Sequence, residues 1–434
     1  MKLWQKHPTS VNGLVEQFTI GRDPEFDLLL APYDIQGSSA HVCMLASVGL
    51  LTKEEEASIQ EGLEQIMQSV NAGSFAIESG VEDVHSQIEL LLTRSLGPVG
   101  KKIHSGRSRN DQVAVDIKLF LRAEIQAIRT LVTDAFDCLL QMSEHHKDDL
   151  LPGYTHMQLG MPSSFGLWFA AYAESLVDDM ELLLAAYKVV NKNPLGSGAG
   201  YGSSFPLDRG LTTRLLHFRD LHYNAVYAQM SRGKTEKFVA NALAAIGATL
   251  ARLAMDICLY MNQQFAFIRF PDSLTTGSSI MPHKKNPDIF ELLRAKCNRI
   301  QAIPNELSLL LTNLPSGYHR DLQLTKEVLF PAISSLKECL QILCFALPQM
   351  QVAEGLLSDD RYKYLFTVES VHDLVRQGLP FRDAYREVGA AVESGTYAAP
   401  PFHPAQHTHE GSMGNLCNEQ IREAMNLVVT GFDE

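Results

Sequence analysis

A chain of 434 residues, 45% hydrophobic and 20% charged, has an ordinary globular balance and enough length for two or three domains. Its formal net charge of −13 argues against nucleic acid or an anionic membrane as the main partner, so an anionic ligand would need positive charge gathered locally. The opening MKLWQKHPTSVNG has no apolar core of signal-peptide length, and the seven cysteines include no CxxC, which points to reduced thiols in a cytoplasmic protein.

In chain order, residues 1–108 hold shorter helical patterns at 32–49 and 52–73. Residues 111–149 then run without Pro or Gly, with Val113, Ile117, Phe120, Leu121, Ile125, Ile128, Val132 and Phe136 at helical spacing. Further long runs cover 163–193, 234–265, 287–314 and 322–350; Pro304, Pro331 and Pro348 should kink or end the last two. A run of about 30 residues makes a helix of roughly 45 Å. The most apolar stretch, 241–262, carries Arg252 and Asp256 and reads as a buried helix rather than a membrane span. Short helices follow at 369–377 and 381–393, and no series of alternating strands is found. The expected fold is all-α, in three helical domains (1–108, 109–358 and 359–434) with a central bundle of five long helices. Helices this long, apolar round much of their surface, point to a homo-oligomer.

Four polar loops interrupt the helices. The first, SGRSRNDQ (105–112), sets two arginines at a helix start, whose free N–H groups suit a carboxylate. Arg109 adds a bidentate clamp, although a capped helix with solvated arginines explains the spacing equally well. The second, PGYTHMQ (152–158), places His156 beside Thr155 and Gln158; such a histidine suits acid/base work, but a lone histidine is more often structural. The third, TGSSIMPHKKNP (276–287), is the strongest signal. Its hydroxyls, Ser278 and Ser279, precede Lys284 and an Asn286-Pro287 pair that reads as an N-cap with proline at the first helical position, and Glu291 lies a turn further on. That set suits a dianion such as an aci-carboxylate, and a flexible linker would not explain the gathering of cations and hydroxyls. In the fourth, GYHRDLQLTK (317–326), Tyr318, Gln323 and Lys326 suit the amino-acid end of a substrate; a solvated helix start fits as well. The glycines of 196–202 follow no predicted strand and spell no dinucleotide fingerprint, so nucleotide cofactor binding there is rejected.

Taken together, the loops resemble the fumarase/aspartase superfamily and, within it, the argininosuccinate lyases and their lens relative delta-crystallin. The third loop is similar to the superfamily's GSSxMPxKxNP stretch. SGRSRNDQ, GYTHMQ and YHRDLQ are the forms typical of argininosuccinate lyases, and EDVHSQIE (82–89), PLGSGAGYG (194–202) and PFRDAYREVG (380–389) also look like family segments. The chain departs from the family at three places. It reads Leu3-Trp4-Gln5-Lys6 where the family has LWGGRF, and Asp23 stands where the family often has serine. The tail after Tyr397, with His403, His407 and His409, does not match the family's usual C-terminus; a mobile polar tail is expected there, a metal site being the alternative.

The resemblance implies cleavage of argininosuccinate to arginine and fumarate by C–N elimination, without cofactor or metal. It implies Ser278 as base with Ser279 as fallback, and His156, held by Glu291, as acid, or the reverse. Ser108, Arg109, Asn110, Thr155, Lys284 and Asn286 would hold the succinyl part. Asp27, Tyr318, Gln323 and Lys326 would hold the arginine part, with Asp83, His85, Gln158 and Arg320 as further substrate contacts. The loops would meet from different subunits of a tetramer with shared sites. Two rivals remain at this stage. One is another superfamily lyase such as adenylosuccinate lyase, toward which His283 leans while the Ser108 and His156 loops lean away. The other is a non-catalytic, crystallin-like protein, against which the intact His156, Ser278, Lys284 and Glu291 stand.

Overall fold

The computed structural model describes residues 13–433, so the Leu3-Trp4-Gln5-Lys6 departure lies outside the described residues. Long helices dominate, and the strands among the described residues form only two-stranded pairs, so the chain is mostly helical as expected. The N-terminal part comprises α1 (Gly13–Ile20), α2 (Asp23–Ser47), α3 (Lys53–Asn71) and α4 (Val84–Leu96). α2 starts earlier than the sequence pattern suggested and runs through Pro32. Pro24 presets helical φ near its start, and Phe26, Asp27, Leu30 and Ala31 are buried ahead of Pro32, so packing there outweighs the bond the proline removes. A reciprocal cap starts α3: Thr52 Oγ1 accepts from the Glu55 N–H and the Glu55 carboxylate accepts from the Thr52 N–H.

The centre is built on α5 (Arg109–His145), at 37 residues about 55 Å long. A hairpin of β1 (Leu150–Thr155) and β2 (Gln158–Ser164) leads into α6 (Phe165–Val190). Short helices α7 (Arg209–Leu215) and α8 (Ala225–Met230) precede α9 (Lys234–Tyr260). The run 287–314 is split as Pro304 required, into α10 (Asp288–Ile300) and α11 (Ile303–Leu310). α12 (Thr325–Ala346) keeps Pro331 inside, and the turn holding Pro348 follows its end. One apolar core joins α5, α6, α9, α10 and α12, and the residues read as its α5 stripe from Ile117 to Phe136 are buried. By length and composition α9 and residues 320–349 could each cross a membrane, but Leu243, Ile246, Leu250 and Leu253 of α9 and Leu336, Leu340 and Leu343 of α12 are fully buried in this core.

A separate small cluster of Val371, Ala384 and Val388 joins α13 (Thr367–Arg376) and α14 (Phe381–Glu393). The expectation of a mobile tail is overturned. α15 (Asn418–Thr430) seats Ile421, Met425 and Val428, followed by Phe432, in the central core; their 4-3-4 spacing is that of an amphipathic helix. The three tail histidines do not converge on a metal. The His407 ring lies 3.1 Å from Glu369, the His403 ring accepts from the Ala405 N–H, and the His409 ring meets the Glu410 carbonyl.

Candidate active site

A cavity of about 390 Å³ opens where α2, the start of α4, the start of α5 and the Gly317–Lys326 segment meet. Of the residues singled out in the sequence, it brings together Asp27, Asp83, His85, Arg109, Asn110, Tyr318, Arg320, Gln323 and Lys326. Its walls are charged and internally paired. Lys326 Nζ lies 2.6 Å from Asp27 Oδ1 and 2.5 Å from Asp23 Oδ1. Burial works against the charge on Lys326, but Asp27 and Asp23 outweigh it and hold the ammonium above its ordinary value. Arg109 donates to Asp83 Oδ2 at 2.8 Å and to Ser86 Oγ at 2.8 Å, with Glu82 at 3.5 Å. Arg320 lies 3.4 Å from Glu82 and also donates to the Thr19 carbonyl. Gln323 donates to the carbonyls of Thr19 and Ile20, tying α1 to the rim.

Asp83 is the N-cap of α4, accepting from the Ser86 N–H at 2.8 Å, and its free oxygen is what Arg109 meets. His85, buried, hydrogen-bonds Asp34 Oδ1 at 3.0 Å with Asp116 Oδ2 at 3.3 Å, and Gln112 donates to the same Asp34 oxygen at 2.6 Å. Burial alone would lower the His85 pKa, but Asp34 raises it, and Asp34 in turn sits below the usual carboxylate range. Burial, and then the charge of Asp34, push Asp116 well above the usual carboxylate range. The result is a histidine held between two carboxylates in the cavity wall. The donor atoms of Asp34, His85 and Asp116 lie within 4.8 Å of one another.

The first loop is the capped helix that its spacing allowed. Ser108 Oγ accepts from the Asn110 N–H, and the Ser108 N–H donates to Asp111 Oδ1. The other Asp111 oxygen accepts from the N–H groups of Gly196 and Gly198, which pins the loop to the glycine-rich segment. Gly198 has φ +60, and a Cβ there would meet the Gly202 carbonyl at 2.9 Å, so the segment needs glycine for this wrap. Ser108 is thus spent on its own helix, while Arg109 and Asn110 face the cavity.

The remaining residues lie elsewhere on the chain. His156 and Met157 are the tip of the β1–β2 hairpin, both with positive φ (53 and 59) between the paired Thr155 and Gln158. This two-residue turn of the kind that matches strand twist was expected only as a loop, and it stores backbone strain at the histidine. Thr155, His156 and Gln158 are exposed; His156 borders a second cavity, of about 630 Å³, with Tyr154, Trp168, Asp256 and Tyr260. The Ser278 loop is a projecting hairpin in which Thr276-Gly277 pairs with Lys285-Asn286. Asn286 is therefore not an N-cap: its amide reaches back to Thr276 and the Gly277 carbonyl, and α10 starts after Pro287 without a side-chain cap. Ser278 Oγ accepts from the N–H groups of Ile280 (3.3 Å) and Met281 (3.1 Å). Ser279 and Lys284 are exposed, and Lys284 has no ion-pair partner among the described residues. Glu291, exposed on α10, makes no hydrogen bond to His156.

Sequence reasoning missed Asp34, Asp116, Gln112, Glu82 and Arg232. The signal was present: Asp23, Asp27 and Asp34 lie on one face of α2, and Gln112 and Asp116 on one face of α5, polar residues at core spacing in otherwise apolar helices.

A family model described as Lyase matches residues 14–302. The chain is 56% identical to the argininosuccinate lyase of Bacteroides fragilis over 434 residues, covering 100% of this chain and 96% of that one. It is 57% identical to that of Bacteroides thetaiotaomicron with the same coverage, and 41% identical to that of Desulforamulus reducens over 90% of this chain and 85% of that one. In fold it is similar to EDDS lyase in complex with formate (TM-score 0.78, 22% identity, 98% of this chain and 91% of that one). It is also similar to a fumarate lyase:delta crystallin from Brucella melitensis bound to cobalt (TM-score 0.73, 15% identity, 94% and 91%).

Proposed function

The chain belongs to the argininosuccinate lyases, enzymes that cleave argininosuccinate to L-arginine and fumarate by eliminating a C–N bond in arginine biosynthesis, and from that premise we propose how its residues divide the reaction. Ser278 takes the proton from the succinyl carbon next to a carboxylate, and the electron pair passes into that carboxylate. His156 gives a proton to the departing guanidino nitrogen as the C–N bond breaks, leaving fumarate and arginine. A serine is a weak base, but two backbone N–H groups pointing at its Oγ favour negative charge there. Ser279 is the fallback base, Glu291 orients His156, and Lys284 with Asn286 stabilises the aci-carboxylate. Arg109 and Asn110, with Thr155, hold the succinyl part, and Ser108, capping α5, holds the loop that presents them. Asp27, Tyr318, Gln323 and Lys326 hold the arginine part, with Asp83, His85, Gln158 and Arg320 in support.

The observation that carries this reading is the cavity wall, where carboxylates and cations alternate in pairs. A ligand bearing carboxylates, an ammonium and a guanidinium can replace those pairs partner for partner, so neither its charges nor the wall's are left unmatched on burial. The reacting residues lie outside this cavity, so the enzyme is read as a cytoplasmic homotetramer whose neighbouring subunits supply them. Exposed Leu182, Phe238, Met255, Leu292, Leu309 and Phe345 on the central helices support such contacts. Its parts are read as domains 1–108, 109–358 and 359–434. The test is fumarate release followed in the ultraviolet with argininosuccinate and adenylosuccinate offered separately. Release from argininosuccinate alone is expected; release from adenylosuccinate alone would contradict the reading.

A further inference from the structure

In the cavity assigned to the arginine end, one cation is shared by two carboxylates. Asp27 is the better-buried partner of Lys326, and its second oxygen accepts from the Val84 N–H at 3.4 Å. Asp23, one turn earlier on α2, lines the cavity and is more open, its side chain 18% exposed against 2% for Asp27. The other charged groups of the wall already face counter-charges: Arg109 meets Asp83, Arg320 meets Glu82, Arg232 meets Glu236 at 3.1 Å, and His85 meets Asp34. The Lys326–Asp27–Asp23 group therefore holds one carboxylate more than its cation neutralises. Burial, opposed by Lys326 and reinforced by Asp27 and Asp83, leaves Asp23 raised to about 6. A half-buried carboxylate in that position is stabilised by any cation that enters. The substrate's guanidinium is tied to the reacting C–N bond, so the cation free to reach Asp23 is the α-ammonium.

We propose that Asp23 is a specificity-determining residue whose carboxylate pairs with the α-ammonium of the arginine end, so that the site favours ligands with a free, charged α-amino group over acylated ones. This rests on the placement of the arginine end in this cavity. The test is the inhibition constant of L-arginine and of Nα-acetyl-L-arginine for the wild type, Asp23→Asn, Asp23→Glu and Tyr318→Phe. Asp23→Asn should weaken arginine about tenfold, equivalent to about 1.4 kcal/mol, and leave Nα-acetyl-arginine within about twofold. For argininosuccinate the loss should appear in KM rather than kcat, and inhibition by fumarate should not change. Asp23→Glu keeps the charge and should keep the preference. Asp23→Asn weakening both ligands alike, or neither, would overturn the proposal, as would Asp23→Glu losing the preference as fully as Asp23→Asn. Tyr318→Phe should weaken both ligands; if it weakens neither, the placement of the arginine end is at fault. If it weakens both while Asp23→Asn changes nothing, only the role of Asp23 fails.

Discussion

The charged cavity and the two projecting hairpins are built by opposite rules. In the cavity the inner charges are buried or partly buried and held by one another: Lys326 between two aspartates, Arg109 on Asp83, His85 on Asp34. At the hairpins His156, Ser279 and Lys284 are exposed, as is Glu291 on the neighbouring α10, and Ser278 is held by the backbone of its own turn. One chain thus completes a binding half with its counter-charges in place and leaves the proposed reacting half open. The difference teaches that a substitution in the first region acts on stability and affinity together, whereas one in the second should act on turnover alone.

The largest effect expected is at the hairpin. Ser278→Ala should lower turnover by about 10²–10⁴-fold with the circular dichroism spectrum and melting temperature unchanged, because the residue packs into no core. Retention of more than about a tenth of wild-type activity would move the base to Ser279. Lys326→Ala should do the reverse of leaving the fold alone. It strands Asp23 and Asp27 without their cation and should cost about 3–5 kcal/mol of stability in denaturant unfolding. Equal melting temperatures for these two variants would erase the distinction between the regions. Arg109→Ala should weaken substrate and fumarate together by about 2–5 kcal/mol, and an unchanged fumarate inhibition constant would show that it holds only Asp83.

The smallest effect is on the pH dependence of stability. Asp23 has its folded pKa raised from 3.8 to about 6, so between those values the folded state binds a proton that the unfolded state releases. This group's contribution therefore declines as pH rises through that window. Asp111, also pushed up to about 6 by burial, acts with the same sign, so the comparison must be with Asp23→Asn, which should flatten the decline by roughly 1–2 kcal/mol. Identical curves would mean that Asp23 is ionised throughout.

The long helices were legible because their apolar stripes run for many turns and prolines mark their ends, and the loop residues because their types and order are unusual. What was missed follows from physics that local patterns do not carry. Pro32 sits inside α2 because tertiary packing outweighs one lost hydrogen bond. Asn286 reads as a cap, yet its amide is claimed by a hairpin partner ten residues back. The tail's polar composition hid the apolar face of α15 from Ile421 to Val428. The Asp34–His85–Asp116 group joins α2, α4 and α5, and only the folded chain brings those carboxylates to one histidine.

The central claim is that the reacting hairpins act on a cavity of another subunit, and it is tested by mixing two inactive variants. His156→Asn and Ser278→Ala, each purified, are combined, partly denatured and reassembled, and fumarate release from argininosuccinate is measured. Sites that draw His156 from one chain and Ser278 from another would then include some with both residues intact, so a fraction of wild-type activity should return. If mixing restores nothing while each variant assembles to the same size as the wild type, both residues act from one chain and the account of shared sites is wrong.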